Sequence, residues 1–194
     1  MKKLILLPFI IISLSACKKM GVLPDKPSTK TASTGAVITG DTIPDKAGFR
    51  LRLAKDSTNR DETMIVFNCH ADTNYIANDD GLYFPGFGLQ SLASISGDGK
   101  DLSIYTTPYR PGMKIGLDVG AKTDGTFTLS MSYQHQIPAN VQVWLKDAYL
   151  KDSIDVRSAS YAFTISKADT SSFGKQRFNI TIRENNIQQT APLH

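Results

Sequence analysis

The sequence predicts an all-β fold, an antiparallel β-sandwich of about eight strands with an immunoglobulin-like or jelly-roll-like arrangement. Three observations support this prediction. Apolar and polar residues alternate in a series of short runs, turn-forming residues separate the runs, and no segment has the period of an amphipathic helix. Many short alternating strands without helices are typical of two antiparallel sheets packed around one core.

The alternating runs begin at Gly48. In chain order they are GFRLRLAK (48–55), ETMIVF (62–67), KDLSIYTT (100–107), MKIGLDVG (113–120), GTFTLSMSY (125–133), VQVWL (141–145), SYAFTI (160–165) and RFNITI (177–182). Because side chains of a strand alternate between its two faces, the apolar residues of each run are expected to face one shared core. The expected inward residues include Leu102 and Ile104 in the third run, and Phe127, Leu129, Met131 and Tyr133 in the fifth.

Turn chemistry separates the runs. Asp124 and Gly125 lie between the fourth and fifth runs, and an Asp-Gly pair between alternating segments is a strong hairpin signal. The sequence therefore predicts a hairpin at this point. The clusters SGDGKD, PYRPG and QIPAN indicate further turns or loops.

The segment from Asn68 to Ser96 has only scattered apolar positions. A loop of this length is uncommon unless it is functional or contains unrecognised elements. Within it, GLYFPGFG carries Tyr83, Phe84 and Phe87. These aromatic residues either cap one end of the core, which their large apolar area favours, or present a ligand-binding surface.

The N-terminal segment MKKLILLPFIIISLSAC predicts export. A basic start, a short apolar run and small residues before Cys17 form the three-part secretory signal pattern, and the apolar run is too short to span a bilayer. Residues 14–17, LSAC, resemble the bacterial lipobox, which favours a lipoprotein signal peptide at 1–16 and attachment of lipid, including acyl chains such as palmitate, at Cys17. The alternative is an ordinary signal peptide with Cys17 incidental. Several acyl chains give stable membrane anchoring, so the membrane is a predicted partner.

The predicted organisation after the signal peptide has three parts. Residues 17–46 hold the lipidated cysteine and a flexible tether rich in Ser, Thr, Gly, Pro and Lys. Residues 47–184 form the β domain, and residues 185–194 a flexible tail. The basic residues Lys18 and Lys19 after the cysteine favour the periplasmic face of the outer membrane over the cell surface.

The prediction for the second cysteine, Cys69, depends on the prediction for Cys17. If lipid occupies Cys17, Cys69 is predicted to form no internal disulfide, because the chain has only two cysteines. A lone exported cysteine is either a reactive thiol, an intermolecular partner, or a buried or half-buried small apolar residue. Burial or half-burial is favoured, since cysteine is among the most buried residue types.

The charge balance argues against nucleic-acid binding. The chain has 22 Lys and Arg against 18 Asp and Glu, and two of the basic residues, Lys2 and Lys3, belong to the removable leader. No basic stripe with interleaved aromatic residues is visible, although this is the pattern that nucleic-acid binders show. A nucleic acid is therefore not an expected partner.

The segment HADTNYIANDDG is the one weak metal candidate. Asp72, Asn74, Asn78, Asp79 and Asp80 offer the oxygen ligands that calcium prefers, but their spacing does not match an EF-hand loop. Loops are also rich in Asp and Asn for turn reasons alone. The expectation is no cofactor, with calcium as the weak alternative.

No catalytic motif is found. The sequence has no G-x-S-x-G elbow, no phosphate-binding loop and no dinucleotide fingerprint. Cys69 and His70 are neighbours, and adjacent strand residues point to opposite faces, so they do not predict a dyad. The sequence therefore predicts a protein that is not an enzyme, with an envelope hydrolase that uses acids of the long loop as the less favoured alternative.

Trp144 is a candidate for sugar binding. It falls out of phase with Val143 and Leu145, so strand alternation places it on the outer face of its sheet. An exposed Trp there stacks on a sugar ring, whereas a Trp covered by a neighbouring side chain is structural. The covered interpretation is favoured.

The last third of the chain carries a pattern of four elements. They are Leu145 and Asp147 at a strand end, Asp155 and Val156 after a short turn, Ser160, Tyr161 and Phe163 in the next strand, and Arg177 and Phe178 at the start of the last strand. The pattern resembles a β-sandwich module found near the C-terminus of large exported and surface proteins of Bacteroidota, often before a type IX secretion sorting region. The resemblance covers about residues 48–183, with Ile154 where threonine is usual.

This resemblance implies a non-catalytic module with no catalytic residues to carry over. Here the module is expected to stand alone as a lipoprotein, because ENNIQQTAPLH does not resemble a sorting region. The expected role is binding, adhesion or structural support at the cell envelope, with another envelope protein or a glycan as partner. The alternative is a carbohydrate-binding module with an exposed aromatic residue.

The charged interval after Trp144 is predicted to be a corner between two core strands. Asp147, Asp152 and Asp155 lie where strands end, and Asp side chains bond backbone N–H groups in such turns. Arg177 is expected to pair with Asp147 or Asp155 across the corner. The residues with a predicted structural role are therefore Asp147, Asp155, Tyr161, Phe163, Arg177 and Phe178.

Overall fold

A computed structural model describes residues 43–86 and 88–185 and confirms the all-β class. The strands are β1 (Gly48–Ala54), β2 (Arg60–Phe67), β3 (Gly81–Leu82), β4 (Gln90–Ile95), β5 (Asp101–Thr107), β6 (Lys114–Ala121), β7 (Gly125–His135), β8 (Val141–Asp147), β9 (Asp152–Asp155), β10 (Tyr161–Ile165) and β11 (Phe178–Glu184). A short 3₁₀ helix, Thr170–Ser172, lies between β10 and β11. Within the described residues, no helix has the length and hydropathy needed to cross a membrane.

Several sequence predictions fall outside this part of the chain. The signal peptide at 1–16, lipidation of Cys17, the tether up to residue 42, Phe87 and residues 186–194 all lie outside the described residues. The last residues of the predicted tether are described, and there Ile43 is only 5% exposed and packs against the core. Ordered structure therefore begins before Gly48.

All eight predicted runs are strands, and three strands were missed. The missed strands are β3, β4 and β9. β4 lies in the segment predicted to be a long loop, which therefore contains an unrecognised element. Its inward positions include Gln90 and Ser94, which are buried although they are polar, so the usual apolar alternation is hidden.

The strands form one sheet that nearly closes into a barrel. Its order is β10-β7-β1-β2-β5-β4-β6-β11-β8-β9, with β3 paired to β5. All pairs are antiparallel except β2 and β5, which run parallel, so the prediction of a purely antiparallel arrangement is wrong at this pair. The described sheet is continuous and is not clearly divided into the two sheets of a sandwich.

β4 joins the two halves of this sheet. It pairs with β6 at every residue but with β5 only at the two pairs Ser94↔Leu102 and Ile95↔Asp101. The residues of β4 from Gln90 to Ala93 do not pair with β5. Its backbone groups on that side therefore need other hydrogen-bond partners.

Two side chains of β2 supply these partners. The carboxylate of Asp61 accepts a hydrogen bond from the N–H of Leu92 at 2.9 Å. The hydroxyl of Thr63 accepts one from the N–H of Ser94 at 3.2 Å. Polar residues of β2 thus hold β4 in place where strand pairing has ended.

The apolar faces of the strands bury one common core. Nearly all of its members belong to the predicted inward sets, and the largest are aromatic or branched side chains less than 2% exposed. Among them are Phe49, Phe67, Phe127 and Phe178. Period-two patterning therefore identified most of the core correctly.

Two β-bulges overturn the inward assignment of Tyr133 and Ile104. Opposite β1, Ser132 is an extra residue of β7, and Tyr133 beyond it is 46% exposed. Opposite β3, Ser103 is an extra residue of β5, and Ile104 beyond it is 45% exposed. One inserted residue shifts the alternation by one position, so the next side chain points to the opposite face.

The predicted Asp124-Gly125 hairpin is wrong. β6 pairs with β4 and β11, whereas β7 pairs with β1 and β10, so the two strands that flank this turn are not partners. Gly125 has a positive φ of 150°, but Asp124 is not among the residues with positive φ, as a type I′ turn would require. The carboxylate of Asp124 instead accepts a hydrogen bond from the N–H of Lys167, which holds the turn to another loop.

The predicted corner contains a fully buried ion pair. The side chains of Arg177 and Asp147 are both 0% exposed, and Nη2 of the arginine lies 2.8 Å from Oδ2 of the aspartate. The Nε of Arg177 donates to both carboxylate oxygens, at 3.1 and 3.2 Å. The pairing of Arg177 is thus with Asp147 and not with Asp155.

Further bonds complete this pair. Asp147 also accepts from the N–H groups of Tyr149 and Leu150 and from the hydroxyl of Tyr161. Nη1 of Arg177 donates to the backbone oxygens of Thr164 and Ser172. Burial first, and then the charge and hydrogen bond of Asp147, raise the pKa of Tyr161 to about 12, so its hydroxyl stays a donor at neutral pH.

Aromatic rings surround the guanidinium. The central carbon of Arg177 lies 4.6 Å from the ring centroid of Phe163, 4.7 Å from that of Phe178 and 4.9 Å from that of Tyr149. These distances are in the range of cation–π contacts. The residues predicted to be structural therefore meet in one cluster, which we call the Arg177 cluster (Asp147, Tyr149, Tyr161, Phe163, Arg177 and Phe178).

Asp155 and Asp152 hold the neighbouring turns, as predicted. The Oδ1 of Asp155 accepts hydrogen bonds from the N–H groups of Val143 and Arg157, at 3.2 and 3.1 Å. The Oδ1 of Asp152 accepts one from the N–H of Ser153 at 2.7 Å. The aspartates of the charged interval therefore accept hydrogen bonds from backbone N–H groups at the corner.

We expect Arg177→Ala to lower the free energy of unfolding by about 3–5 kcal/mol, because it leaves Asp147 buried without its charge partner. Lys175→Ala is a matched control, since Lys175 pairs with Asp101 in an ion pair whose side chains are 44% and 32% exposed. That change should cost less than about 1 kcal/mol. Denaturant unfolding of both variants measures the difference, and equal costs would contradict the assignment.

Candidate functional site

The candidate site is a cavity of about 200 Å³ at the edge of the sheet where β4 begins and β6 ends. Its walls come from the loop after β3, from β4, from β6 and from the connection between β10 and β11. We call it the Tyr83 cleft. Among its lining residues are Tyr83, Gln90, Ser91, Gly120, Lys167 and Phe173.

Two backbone hydrogen bonds hold the walls of the Tyr83 cleft to β6. The N–H of Lys122, just after β6, donates to the oxygen of Leu89 at 2.7 Å. The N–H of Gly174 donates to the oxygen of Val119 at 2.6 Å. The Arg177 cluster adds a third tie, because the Arg177 guanidinium bonds the oxygen of Ser172, directly before Phe173.

Tyr83 is fixed by β2. Its hydroxyl donates to Oδ2 of Asp61 at 2.7 Å, and the same oxygen accepts the N–H of Leu92. Burial first, and then the hydrogen bond and charge of Asp61, raise the pKa of Tyr83 well above its ordinary value. The side chain is therefore a neutral, anchored phenol at the wall of the cleft.

Gln90, among the residues that line the cleft, has a side-chain amide buried without hydrogen-bond partners. The residue is 7% exposed, and neither its Oε1 nor its Nε2 has a hydrogen-bond partner. A glutamine amide offers an acceptor oxygen and a two-hydrogen donor. Native structures contain few buried polar groups that lack partners, and a buried amide without partners is expected to cost stability.

Lys167 gives the cleft a positive charge. Its Nζ lies 4.0 Å above the ring centroid of Phe173, which is a close cation–π contact. Lys122 also lines the cleft, and the described lining residues include no Asp or Glu. The electrostatics of the cleft therefore favour an anionic or polar ligand over a cationic one.

The aromatic loop is placed differently from the favoured prediction. Phe84 is 78% exposed, so it does not cap the core. Tyr83 is half-buried and lines the cleft, and Phe87 lies outside the described residues. Large apolar area favours burial in general, but the side chain of Phe84 points to solvent.

Trp144 lies on the outer face of β8, as alternation predicts, and is half-buried. Its Nε1 donates to Oε1 of Gln142 at 3.0 Å, and the guanidinium carbon of Arg183 lies 5.8 Å from its ring centroid. Side chains of β8 and β11 therefore contact the Trp144 ring. This arrangement agrees with the structural interpretation of Trp144.

The acids of the long loop serve the backbone. Asp72 accepts the N–H of Asn74 at 2.8 Å, and Asp80 accepts those of Ile76 and Thr106 at 2.8 and 2.7 Å. Asn78 and Asp79 are exposed. In the described part of the chain, no three acids of this loop bring their carboxylate oxygens together as a metal site would require.

Cys69 is half-buried, as favoured. The prediction that it forms no internal disulfide depends on Cys17, which lies outside the described residues. The ligand atoms of Asp45, Cys69 and His70 lie within 4.8 Å of one another. The Oδ1 of Asp45 accepts the N–H of Cys69 at 2.8 Å, so this acid already bonds the backbone, and we assign no metal to the trio.

The sequence analysis missed Gln90, Lys167 and Phe173. They are far apart along the chain, and only the pairing of β4 with β6 and the bond from Gly174 to Val119 bring them together. A buried glutamine in QSLASI was the available signal, but it was hidden because the strand itself was not recognised. Of the predicted candidates only Tyr83 belongs to the cleft.

Comparison with protein-family models, with curated proteins and with solved structures finds no match for this chain.

We expect Gln90→Met to raise the free energy of unfolding by about 1–3 kcal/mol, because it keeps the side-chain length and removes two buried atoms that lack partners. Gln142→Met is the control, since the Gln142 amide bonds Trp144 and its loss should be neutral or destabilising. Urea unfolding measures both. A Gln90→Met protein less stable than the parent would mean that the Gln90 amide has a partner within the fold.

Proposed function

We propose that this protein is a non-catalytic binding module of a bacterial cell envelope, held at the outer membrane by lipid on Cys17. The observation that supports binding is the Tyr83 cleft, whose lining includes the aromatic residues Tyr83 and Phe173 together with Ser91 and Lys167. Ligand pockets typically combine apolar walls with a few polar groups at defined positions. A glycan, or a segment of another envelope protein, is the proposed ligand.

The placement of acids supports a binding protein over a hydrolase. Four clefts of the described residues are each lined by at least one Lys or Arg, and none of their described lining residues is Asp or Glu. General acid–base hydrolysis needs carboxyl groups that flank the substrate. The acids of the long loop instead accept backbone N–H groups.

The same geometry favours glycan binding at the Tyr83 cleft over glycan binding at Trp144. Side chains of its own sheet contact the ring of Trp144. The Tyr83 cleft has aromatic surface together with hydroxyl and ammonium groups, and ligand pockets combine apolar walls with a few polar groups in this way. We therefore place the proposed ligand at the cleft, with the exposed Phe84 nearby in the chain.

We propose that the continuous sheet works as a flattened, two-layered sandwich like that of the Bacteroidota module. The two halves connect at β4 through only two residue pairs with β5. Rings from strands far apart in the strand order also meet, because the ring centroid of Phe163 in β10 lies 4.7 Å from that of Phe178 in β11. Face-to-face packing of this kind is what a sandwich core contains.

The anchor and location remain proposals based on the leader. The lipobox LSAC supports lipidation of Cys17, and the basic residues after it support the periplasmic face of the outer membrane. Partners are then the membrane through the lipid and an envelope glycan or protein, with nucleic acid not proposed.

Lipidation can be tested by the mass of the chain extracted from envelopes. We expect a chain that begins at Cys17 and carries a diacylglyceryl thioether and an amide-linked acyl group, both resistant to reduction. Cys17→Ser is the control and should stay uncleaved and unacylated. The chain has two cysteines, so a thioether at Cys17 and an internal disulfide at Cys69 exclude each other. An unlipidated chain whose mass increases on reduction would contradict the anchor.

The binding function can be tested with the purified full-length chain on a glycan array and in pull-downs from envelope extract. We expect a limited set of glycans or one envelope protein to bind, and Lys167→Gln to weaken that binding because it removes a positive charge from the lining of the cleft. Lys114→Gln, at the opposite end of β6, is the control and should not change it. Turnover of a glycan during the assay would contradict the non-catalytic proposal.

A further inference from the structure

Two β-bulges turn large side chains to the outer face of the sheet. Without the extra residues Ser132 and Ser103, alternation would direct Tyr133 and Ile104 into the core. Both side chains are instead nearly half exposed, at 46% and 45%. β-Bulges often re-aim a side chain next to a functional site, and an exposed large side chain gives up the stabilisation that its burial would contribute. The two bulges therefore point to a contact outside the core.

Strand register places these two residues at the ends of one row. Tyr133 of β7 pairs with Arg50 of β1, and Arg50 pairs with Met64 of β2. Met64 in turn pairs with Ile104 of β5. Paired residues share a face, and neighbouring strands lie about 5 Å apart, so the four side chains form a line about 15 Å long. We call it the Tyr133 row (Tyr133, Arg50, Met64 and Ile104). Gly81 of β3 pairs with Ile104 and adds no side chain that would cover it.

The Tyr133 row has the composition of the centre of a protein interface. Aromatic residues, Met and Arg are enriched at interfaces relative to the rest of a protein surface. The guanidinium carbon of Arg50 lies 5.8 Å from the ring centroid of Tyr133, which is within the range of a cation–π contact. This contact orients both side chains before a partner arrives, which reduces the entropic cost of association.

Charges of both signs border the Tyr133 row. On one side, Arg52 of β1 pairs with Glu62 of β2, and its Nε donates to Oε1 of Glu62 at 2.7 Å. On the other side, the exposed Asp79 lies next to Thr106 of β5, because its backbone oxygen accepts the Thr106 hydroxyl at 2.7 Å. A border with both signs suits a protein partner that also carries both signs, whereas an anionic lipid surface attracts clusters of basic residues.

A second copy of this chain fits the face under a two-fold axis that runs along the strands between β1 and β2. Under this rotation each β1 residue lies opposite the β2 partner of the copy, so Arg50 meets Met64 and Arg52 meets Glu62. The flanking strands exchange in the same way, so Tyr133 meets Ile104. Unlike charges and apolar groups thus face each other across the axis. Two-fold dimers are the commonest soluble oligomers.

Gly48 adds complementarity of shape. It lies on the same outer face of β1 and pairs with Val66, so the rotation lays Val66 of the copy over a residue that has no side chain. The Cε of Met64 borders this gap, since a Cβ on Gly48 would lie 3.3 Å from it. Methionine adapts its flexible side chain to irregular surfaces, which suits a position between two sheets.

These features together define an interface between two copies. We propose that the outer face of β7, β1, β2 and β5 forms a two-fold dimer in which the Tyr133 rows of two copies pack on each other. Four strands and three rows of residues make a face about 20 Å on each side, which is small for a specific interface. The dimer is therefore weak, with a Kd on the order of micromolar. Attachment of both copies to one membrane, as proposed for Cys17, would raise their effective concentration, but the dimer itself depends neither on the anchor nor on the Tyr83 cleft.

Sedimentation equilibrium of the full-length chain in density-matched detergent tests the dimer. We expect the protein mass to rise from one copy to two over micromolar concentrations. Ile104→Asp and Tyr133→Asp should each weaken the dimer at least tenfold, because a carboxylate would then be buried against an apolar side chain of the copy. Leu150→Asp is the matched control and should leave the dimer unchanged, since Leu150 is 53% exposed but lies in the turn after β8, outside this face.

A mixing experiment tests the orientation of the two copies. Arg52→Glu and Glu62→Arg each place like charges opposite each other in a two-fold dimer of one variant. A mixture of the two variants instead places unlike charges opposite each other. We expect each variant alone to associate at least tenfold more weakly than the parent, and the mixture to form a heterodimer. Fluorescence transfer between differently labelled variants measures this association.

Several outcomes would overturn the proposal. They are a chain that stays monomeric at every concentration, a dimer that Ile104→Asp and Tyr133→Asp leave unchanged, and a mixture that associates no better than its components. In intact envelopes, a photoreactive residue in place of Tyr133 should crosslink to residues 100–107 of a second copy. A crosslink to lipid would indicate a membrane surface instead, and one to another protein a heteromeric interface. The unfolding midpoint of each variant shows that lost association is not lost folding.

Discussion

The buried ion pair between Arg177 and Asp147 is the interaction on which most of the architecture depends. A charge without a partner in this core would be very costly, so the chain must bring β11, the end of β8 and the β10–β11 connection together. The remaining N–H groups of the guanidinium bond backbone oxygens of Thr164 and Ser172. One side chain therefore ties β10 and the β10–β11 connection to the end of β8, which already pairs with β11.

The Tyr83 cleft depends on that cluster and on a second set of buried polar groups. The Arg177 guanidinium holds Ser172, which places Phe173 and Lys167 at one wall. On the other wall, Asp61 holds Tyr83 and the backbone of β4. Both walls are thus fixed by polar side chains, and the core between them is apolar. Among the described residues of these walls, the Gln90 amide is buried without a hydrogen-bond partner.

The same physical logic explains the charged corner. Clusters of Asp and Lys look like a site in a sequence, because ligands and catalysis also use charged groups. Here Asp147, Asp152 and Asp155 all accept backbone N–H groups of turns. A corner leaves several such groups without strand partners, and a short carboxylate is the simplest acceptor for them. The local need of the backbone accounts for these residues.

The sequence by itself determined the all-β class, the eight main strands and most of the core, because period-two alternation follows directly from strand geometry. It also identified the corner residues. Asp at a strand end typically accepts backbone N–H groups of the turn, and the Arg at the start of the last strand was expected to pair with one of these acids. It did not determine the bulges that turn Tyr133 and Ile104 outward, because one extra residue in a strand is defined only by its partner strand. The parallel pair β2–β5 and the missing hairpin at Asp124 likewise depend on which strands meet. The Tyr83 cleft belongs to the tertiary structure alone, because Gln90 and Lys167 become neighbours only when β6 holds both walls.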